Sequence, residues 1–482
     1  MVAPAVKQTW TVMGVLVNML SQGMVLSFPS ILLPAVQSPG SEIKADLHTA
    51  SWLASCVGVS SMPGLLISSF LMDWLGRKTA QIIMIIPGTI GWILISFASN
   101  VTVLMIGRIL CGFTAGPCFV LAAVIIGEYT SPRHRGMFLN LKTTVACLGN
   151  MMVHILGNFL AWKHVAHVAL VPQIVAMLII FTWPESLAWL ASKKRFKASE
   201  TSFYWLRGTS DKSKREIDEL IRAQKERLDG LNSATESENI LIFFKKISRR
   251  NFLKPLIVMV FAGLLQEACG RHIFSAFAIQ IVNEVTGNNI NSFYYTLGVD
   301  LIITVSALFS SALVKVMRRR TLLFSTGFAA LFVLACVCMY LYLVTKGIMS
   351  NNKPWVPMLL FSVYFILSNL GCTPIPYALL GEIFPLVHRS VGVFLSSILM
   401  SLFFIIGMKV TPYLLVSVKV YGTFAIFGSV MGLALVTLCF ILPETNDKTL
   451  QEIENNFNGG KIRQFRVNDD NEVEMKMIPD EC

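Results

Sequence analysis

Twelve stretches of this 482-residue chain are long and apolar enough to cross a lipid bilayer, and no other feature restricts its fold so tightly. Windows of about 20 mostly apolar residues fall near residues 10–34, 52–72, 79–98, 102–127, 138–159 and 165–183. A second set falls near 254–284, 293–316, 321–345, 356–381, 390–416 and 420–442. Lipid offers no partner to backbone N–H and C=O groups, so each stretch is expected to be a helix. Only 14% of residues are charged, against about a quarter in soluble domains. The expected fold class is an all-α membrane protein with twelve transmembrane helices in two six-helix bundles. Its expected organisation is one bundle over 1–184, a cytoplasmic helical segment over 185–253, a second bundle over 254–445 and a cytoplasmic tail over 446–482. The first span starts near residue 10 but is too long, and too interrupted by Gly and Pro, for a cleaved leader.

The two halves carry the same punctuation. Asp73-Trp74-Leu75-Gly76-Arg77-Lys78 is echoed by Arg318-Arg319-Arg320, Gly127-Glu128 by Gly381-Glu382, and Pro184-Glu185-Ser186 by Pro443-Glu444-Thr445. An arginine follows each glutamate at the same step, Glu128 to Arg135 and Glu382 to Arg389. Matching motifs at matching helix ends point to a duplicated, pseudo-symmetric bundle.

Charge sets the expected orientation. The short loops after the second, fourth and eighth spans carry Arg77 and Lys78, Arg133 and Arg135, and Arg318 to Arg320. The positive-inside rule places these loops, the central segment and both termini in the cytoplasm. The net charge of +12 is then a topology signal, because no basic face on a soluble module is found that would serve nucleic acid. The ten cysteines lie almost all inside apolar stretches, form no CxxC pair and read as packing residues. No Walker sequence is present for ATP. No cofactor or metal is expected, and no cluster spaces a nucleophile with its base, so no enzymatic chemistry is implied.

Glu128 and Glu382 end their helices on the cytoplasmic side, where the helix dipole disfavours an anion. Arg135 and Arg389 folding back, with Asp73, Arg77, Arg319 and Arg320 from neighbouring loops, would compensate them as an ion-pair ring gating the inner face. Ordinary positive-inside charge beside incidental glutamates is the plainer alternative for a single copy.

Four motifs then carry a resemblance: Pro184-Glu185-Ser186 with Trp189-Leu190, Leu206-Arg207-Gly208, Pro374-Ile375-Pro376 before Gly381-Glu382, and Pro443-Glu444-Thr445 with Lys448-Thr449-Leu450. The chain resembles the sugar porters of the major facilitator superfamily, among them the insect facilitated trehalose transporters, from about residue 10 to 455. The resemblance implies a two-lobed alternating-access carrier with short cytoplasmic helices in its central segment.

Carriers of this architecture bind solute near mid-membrane, where helices break. The clearest break is Gly371-Cys372-Thr373-Pro374-Ile375-Pro376-Tyr377, whose prolines remove backbone donors. In the seventh span, Gln266-Glu267-Ala268-Cys269-Gly270-Arg271-His272 stands where the family holds sugar hydroxyls with amides. Gln266 and Gly270 match that pattern; Glu267, Arg271 and His272 depart from it. The candidate solute-binding residues are Gln266, Glu267, His272, Thr143, Asn369 and Tyr377, the last standing where the family usually has Trp. Ionisable groups at mid-membrane default to a functional role. Glu267 and Arg271, spaced i, i+4, would equally neutralise each other along one helix. Lys315 and Arg318 replace an Asp and a Gly of the family's second gating motif, and His154, Asn158 and Asn369 read either as cavity lining or as helix–helix hydrogen bonds.

Proton-coupled relatives usually carry an Asp in the first span, where this chain has Phe28-Pro29. That favours facilitated diffusion, while Glu267 or Asp300 leaves proton exchange open. The expected function is a multi-pass plasma-membrane facilitator for trehalose or a hexose, with a sugar and the lipid bilayer as its partners and no nucleic acid. The alternatives are a paralogue for a charged or non-sugar solute, a proton-coupled carrier, and a non-transporting sensor, which would usually carry a longer tail.

Overall fold

Backbone groups that lipid cannot satisfy bond within their own segment, and the apolar stretches accordingly fold as helices. The computed structural model describes residues 4–208, 217, 221–222, 250–287, 291–349, 353–380, 383–384, 389–445, 462–467 and 473–478. In the first half, α1 (Pro4–Ser27) and α2 (Pro29–Gln37) make one crossing joined at Phe28, followed by α3 (Leu47–Leu75), α4 (Arg77–Ser96), α5 (Val101–Tyr129), α6 (Pro132–Phe159) and α7 (Trp162–Phe181). Two short helices, α8 (Leu187–Ser192) and α9 (Phe196–Arg207), lie in the central segment. The second half holds α10 (Arg250–Ala268), α11 (Arg271–Thr286), α12 (Ser292–Val316), α13 (Arg319–Thr345), α14 (Trp355–Leu370), α15 (Pro374–Leu380) and α16 (Arg389–Ile441).

Ten of these stretches pass as membrane spans on length and hydropathy. The last of them folds back at Lys419, where φ is 58, and so makes two crossings. Helix α6, 28 residues long but less apolar, completes the twelve of the major facilitator architecture. Side chains start the helices where the sequence permits. Asp46 accepts from the Thr49 N–H at 3.0 Å to cap α3, and Asn100 accepts from Val103 at 2.9 Å to cap α5. Beyond the bundle, β1 (Ile462–Val467) and β2 (Val473–Ile478) pair antiparallel, an element the sequence reading did not anticipate.

Glycine sets the closest packing in the first lobe. A Cβ on Gly23 would strike the Ala146 carbonyl, and one on Gly149 would strike the Leu20 carbonyl, so α1 and α6 cross backbone on backbone. Outward-facing Phe97, Phe309, Phe332 and Phe440 stay exposed, as a lipid-facing belt requires. The lobes meet where α6 packs on α12, α2 on α11 and α3 on α16. One apolar core runs through both lobes, from Phe28, Leu53 and Trp92 to Phe274, Phe365 and Met408. The half of the first lobe that bears Arg77 and Arg135 has a separate core of its own, including Val12, Met84, Ile126 and Trp183, closed by Leu187 and Phe203 of α8 and α9. We call the side bearing Arg77, Arg135 and Arg318 the basic face.

Candidate functional site: a mid-membrane break and a charge network

The seventh crossing breaks where the sequence marks it. Gly270 adopts φ +71, ending α10 and starting α11, and the Tyr364 hydroxyl donates to the freed Cys269 carbonyl at 2.7 Å. Because the helix does not continue, Glu267 and Arg271 no longer stand one turn apart, and the i, i+4 pair, one of the two readings of these residues, does not form. Glu267 is held instead by His272, whose Nδ1 lies 3.0 Å from Oε2. Arg271, buried at 8% exposure, donates to Cys147 Sγ of the other lobe at 2.7 Å. Gln266 donates to the Tyr377 hydroxyl at 3.0 Å, joining the two broken crossings, and Asn369 donates to the Phe365 carbonyl at 2.7 Å.

Facing this break, α6 presents Thr143, Cys147, Asn150 and His154 at steps of four, three and four residues, one stripe of a helix. Asn150 donates to Ser275 Oγ at 3.1 Å; His154 lies 3.1 Å from the Ser275 carbonyl through Nε2 and 2.5 Å from Asp300 through Nδ1. Thr143 is half-buried one turn nearer the basic face. Among the described residues, five side-chain carbonyl oxygens are buried without a partner: those of Gln22, Asn150, Gln266 and Asn369, and that of Gln81 on α4.

On the basic face, Arg77 pairs with Glu128 at 2.9 Å, and Ser186 Oγ donates to the same carboxylate. Arg135 is exposed, so the fold-back onto Glu128 is not formed; the Asp73 side chain is exposed too, with its carbonyl accepting from Trp189 at 3.0 Å. Glu382 and the Arg389 and Lys315 side chains lie outside the described residues.

The residues that sequence reasoning left out of this network are Glu185 and Glu444. Glu185 accepts from the backbone N–H groups of Arg77 at 2.8 Å and Lys78 at 3.0 Å, capping α4 from a distance in sequence. Glu444 repeats the arrangement on α13, accepting from Arg319 and Arg320, each at 3.1 Å. A carboxylate there meets both the unbonded first-turn N–H groups and the positive end of the helix dipole. The recurrence of Pro-Glu-Ser and Pro-Glu-Thr was the signal for it. Gly76 is required in the first copy, where φ is +95 and a Cβ would press on the Glu185 carboxyl; Arg318 takes its place in the second at φ −58.

Among solved structures, the fold is similar to the inward open conformation of the xylose transporter XylE from E. coli, with a TM-score of 0.74 and 15% identity over 93% of this chain and 98% of that one. A mutant of the peptide transporter POT matches with a TM-score of 0.61 and 12% identity over 92% of this chain and 98% of that one. At such identities the likeness is one of fold. In sequence, the chain is 26% identical to the facilitated trehalose transporter Tret1 of Apis mellifera ligustica, over 87% of this chain and 81% of the relative. It is 25% identical to that of Bombyx mori, over 89% and 83% respectively. The family model for sugar (and other) transporters matches residues 11–457, and the chain belongs to that family.

Proposed function

We propose that this sugar transporter is a plasma-membrane facilitator that moves trehalose or a hexose down its gradient, by rocking the bundles 1–184 and 254–445 about the broken helices. The observation that carries the reading is the set of orphaned acceptors on Gln22, Asn150, Gln266 and Asn369. A buried acceptor left without a donor costs about 1–3 kcal/mol, and sugar hydroxyls supply donors. The names of the insect relatives support trehalose. Facilitation is supported by the first crossing, since α1 and α2 contain no carboxylate. The buried Arg108 donates instead to the carbonyls of Val25 at 2.9 Å and Leu53 at 3.2 Å, with the Phe28 ring 5.9 Å away. The positive-inside rule makes the basic face cytoplasmic, with both termini and segment 185–253.

Uptake into proteoliposomes, with labelled trehalose, glucose and organic ions, tests the reading. Trehalose or glucose should equilibrate and go no further, with or without a pH gradient; uptake of organic ions alone would overturn it. The orientation is tested by an impermeant thiol reagent on intact cells, which should label Lys353→Cys and spare Lys197→Cys. A second reading has one observation behind it. Arg271 meets a thiol and no carboxylate among the described residues, and a buried guanidinium of that kind suits an anionic solute. Selective uptake of the organic anions in the same panel would favour it.

A further inference from the structure

His154 on α6 and Asp300 on α12 touch across the lobes, both side chains at most 4% exposed. Their protons can be counted from the partners. His154 Nε2 faces the Ser275 carbonyl at 3.1 Å, and a carbonyl only accepts, so Nε2 carries a hydrogen. The remaining contact, Nδ1 to Asp300 Oδ2 at 2.5 Å, needs a proton between the two atoms. Whether that proton is assigned to an imidazolium or to a carboxylic acid, the closed pair holds one more proton than a neutral histidine beside an ionised aspartate.

No other charge serves the pair among the described residues. On α11, Arg271 is engaged with Cys147, and Glu284 accepts from the Val420 N–H at 2.9 Å. On α5, Arg108 is turned to Val25 and Leu53. On α7, Lys163 pairs with Glu42 at 2.8 Å, and His164 and His167 sit at the outer end. Lys142 of α6 donates to the Phe119 carbonyl. The charged residue of α1, Lys7, lies at its basic end, α2 has none, and the tyrosine of α14, Tyr364, donates to Cys269.

His154 is five residues, about 8 Å at 1.5 Å per residue, from the outer end of α6. The first lobe's part of the shared core, with Phe28, Leu53 and Trp92, lies on this side of the membrane, whereas its basic-face half packs on a core of its own. Opening the outer side must therefore part the pair and wet both groups. We propose that His154 and Asp300 form a proton-binding site shared by the two lobes, filled when the outer side closes and emptied when it opens. The proton enters and leaves by the same side, so the site biases the carrier without driving it. The inference rests on the alternating-access reading above, and not on which sugar is carried.

Linkage gives the sign. An exposed imidazole is half protonated near about pH 6.5, so above that pH closure takes up one proton from the outer solution. The outer-open population should then rise by up to about tenfold for each pH unit. Below about pH 6.5 both states hold the proton and the dependence flattens.

Hydrogen–deuterium exchange on the full chain in lipid nanodiscs tests this without any sugar, so its outcome is separable from the choice of substrate. After correction for intrinsic rates, protection at the outer ends of α6 and α12 should fall between about pH 6.5 and 8, by up to about tenfold per unit. In Asp300→Asn, where an amide bridges a neutral imidazole, protection should not change with pH, and His154→Gln should behave alike. A parent protein without the dependence, or both variants retaining it, overturns the proposal. So does accumulation of labelled trehalose or glucose above equality under a pH gradient that is lost in Asp300→Asn, because the proton would then have crossed the membrane.

Discussion

At Gly270 the backbone turns left-handed, and the four-residue interval between Glu267 and Arg271 stops measuring one helical turn. The charge of Glu267 is therefore answered by His272, and Arg271 reaches the opposite lobe. A double-mutant cycle in uptake rate should reflect this geometry. Glu267→Gln combined with His272→Gln is expected to show a coupling of about 0.5–3 kcal/mol, as for groups in contact, whereas Glu267→Gln with Arg271→Ile should add within about 0.5 kcal/mol. A strong coupling in the second cycle with none in the first would mean that the charges meet otherwise in the working carrier. The residue types at this break were legible in the sequence, because ionisable groups stand out in an apolar run. Their partners were not, since a left-handed residue resets the helical phase and a one-dimensional pattern assumes it unbroken. The pairing of His154 with Asp300, 146 residues apart, was hidden for a different reason, since the pattern along one helix does not say which helix of the other lobe packs against it.

Among the elements, α4 and α13 begin alike, each with its first N–H groups bonded to a carboxylate more than a hundred residues later. Replacing Glu444 by Gln removes the charge but keeps an acceptor, and replacing it by Ala removes both. Thermal unfolding in detergent should rank the three proteins in that order, with losses on the order of 1–3 kcal/mol for charge-assisted bonds. Equal melting of all three would show that the cap contributes nothing. Span positions were readable to within a few residues because bilayer thickness fixes length and lipid forces the helix. The reversal at Lys419 was readable too, as the gap between two apolar windows. The β1–β2 hairpin was not read, yet its signal is present: Val473, Met475 and Met477 alternate with polar residues after Asn468-Asp469-Asp470-Asn471, a turn-forming run.

At the scale of the whole molecule, the side-chain bonds that cross between lobes among the described residues lie at mid-depth or on the half away from the basic face. They are Ser51 to the Lys409 carbonyl at 2.8 Å, Arg271 to Cys147, Asn150 to Ser275, and His154 to both Asp300 and the Ser275 carbonyl. Phe159 and Phe293 meet edge to face at the rim opposite the basic face, with centroids 5.7 Å apart. Among the described residues, the charged groups of the basic face bond within a lobe, Arg77 to Glu128 in one and the Arg319 N–H to Glu444 in the other. For these residues the asymmetry places the closed side away from the basic face, and a solute can enter from that side only if every cross-lobe contact there is released. Joining Phe159→Cys to Phe293→Cys with a short, cleavable thiol cross-linker should hold that side shut. Uptake into proteoliposomes carrying the linked protein is expected to fall by more than about tenfold, equivalent to about 1.4 kcal/mol against the outer-open state, and to return when the linker is cut. Solute loaded inside should still bind from the basic face while the linker is in place, which separates a locked carrier from a damaged one. Undiminished uptake by fully linked protein would mean that the outer rims need not part, and the two bundles would then have to exchange access by some motion other than rocking.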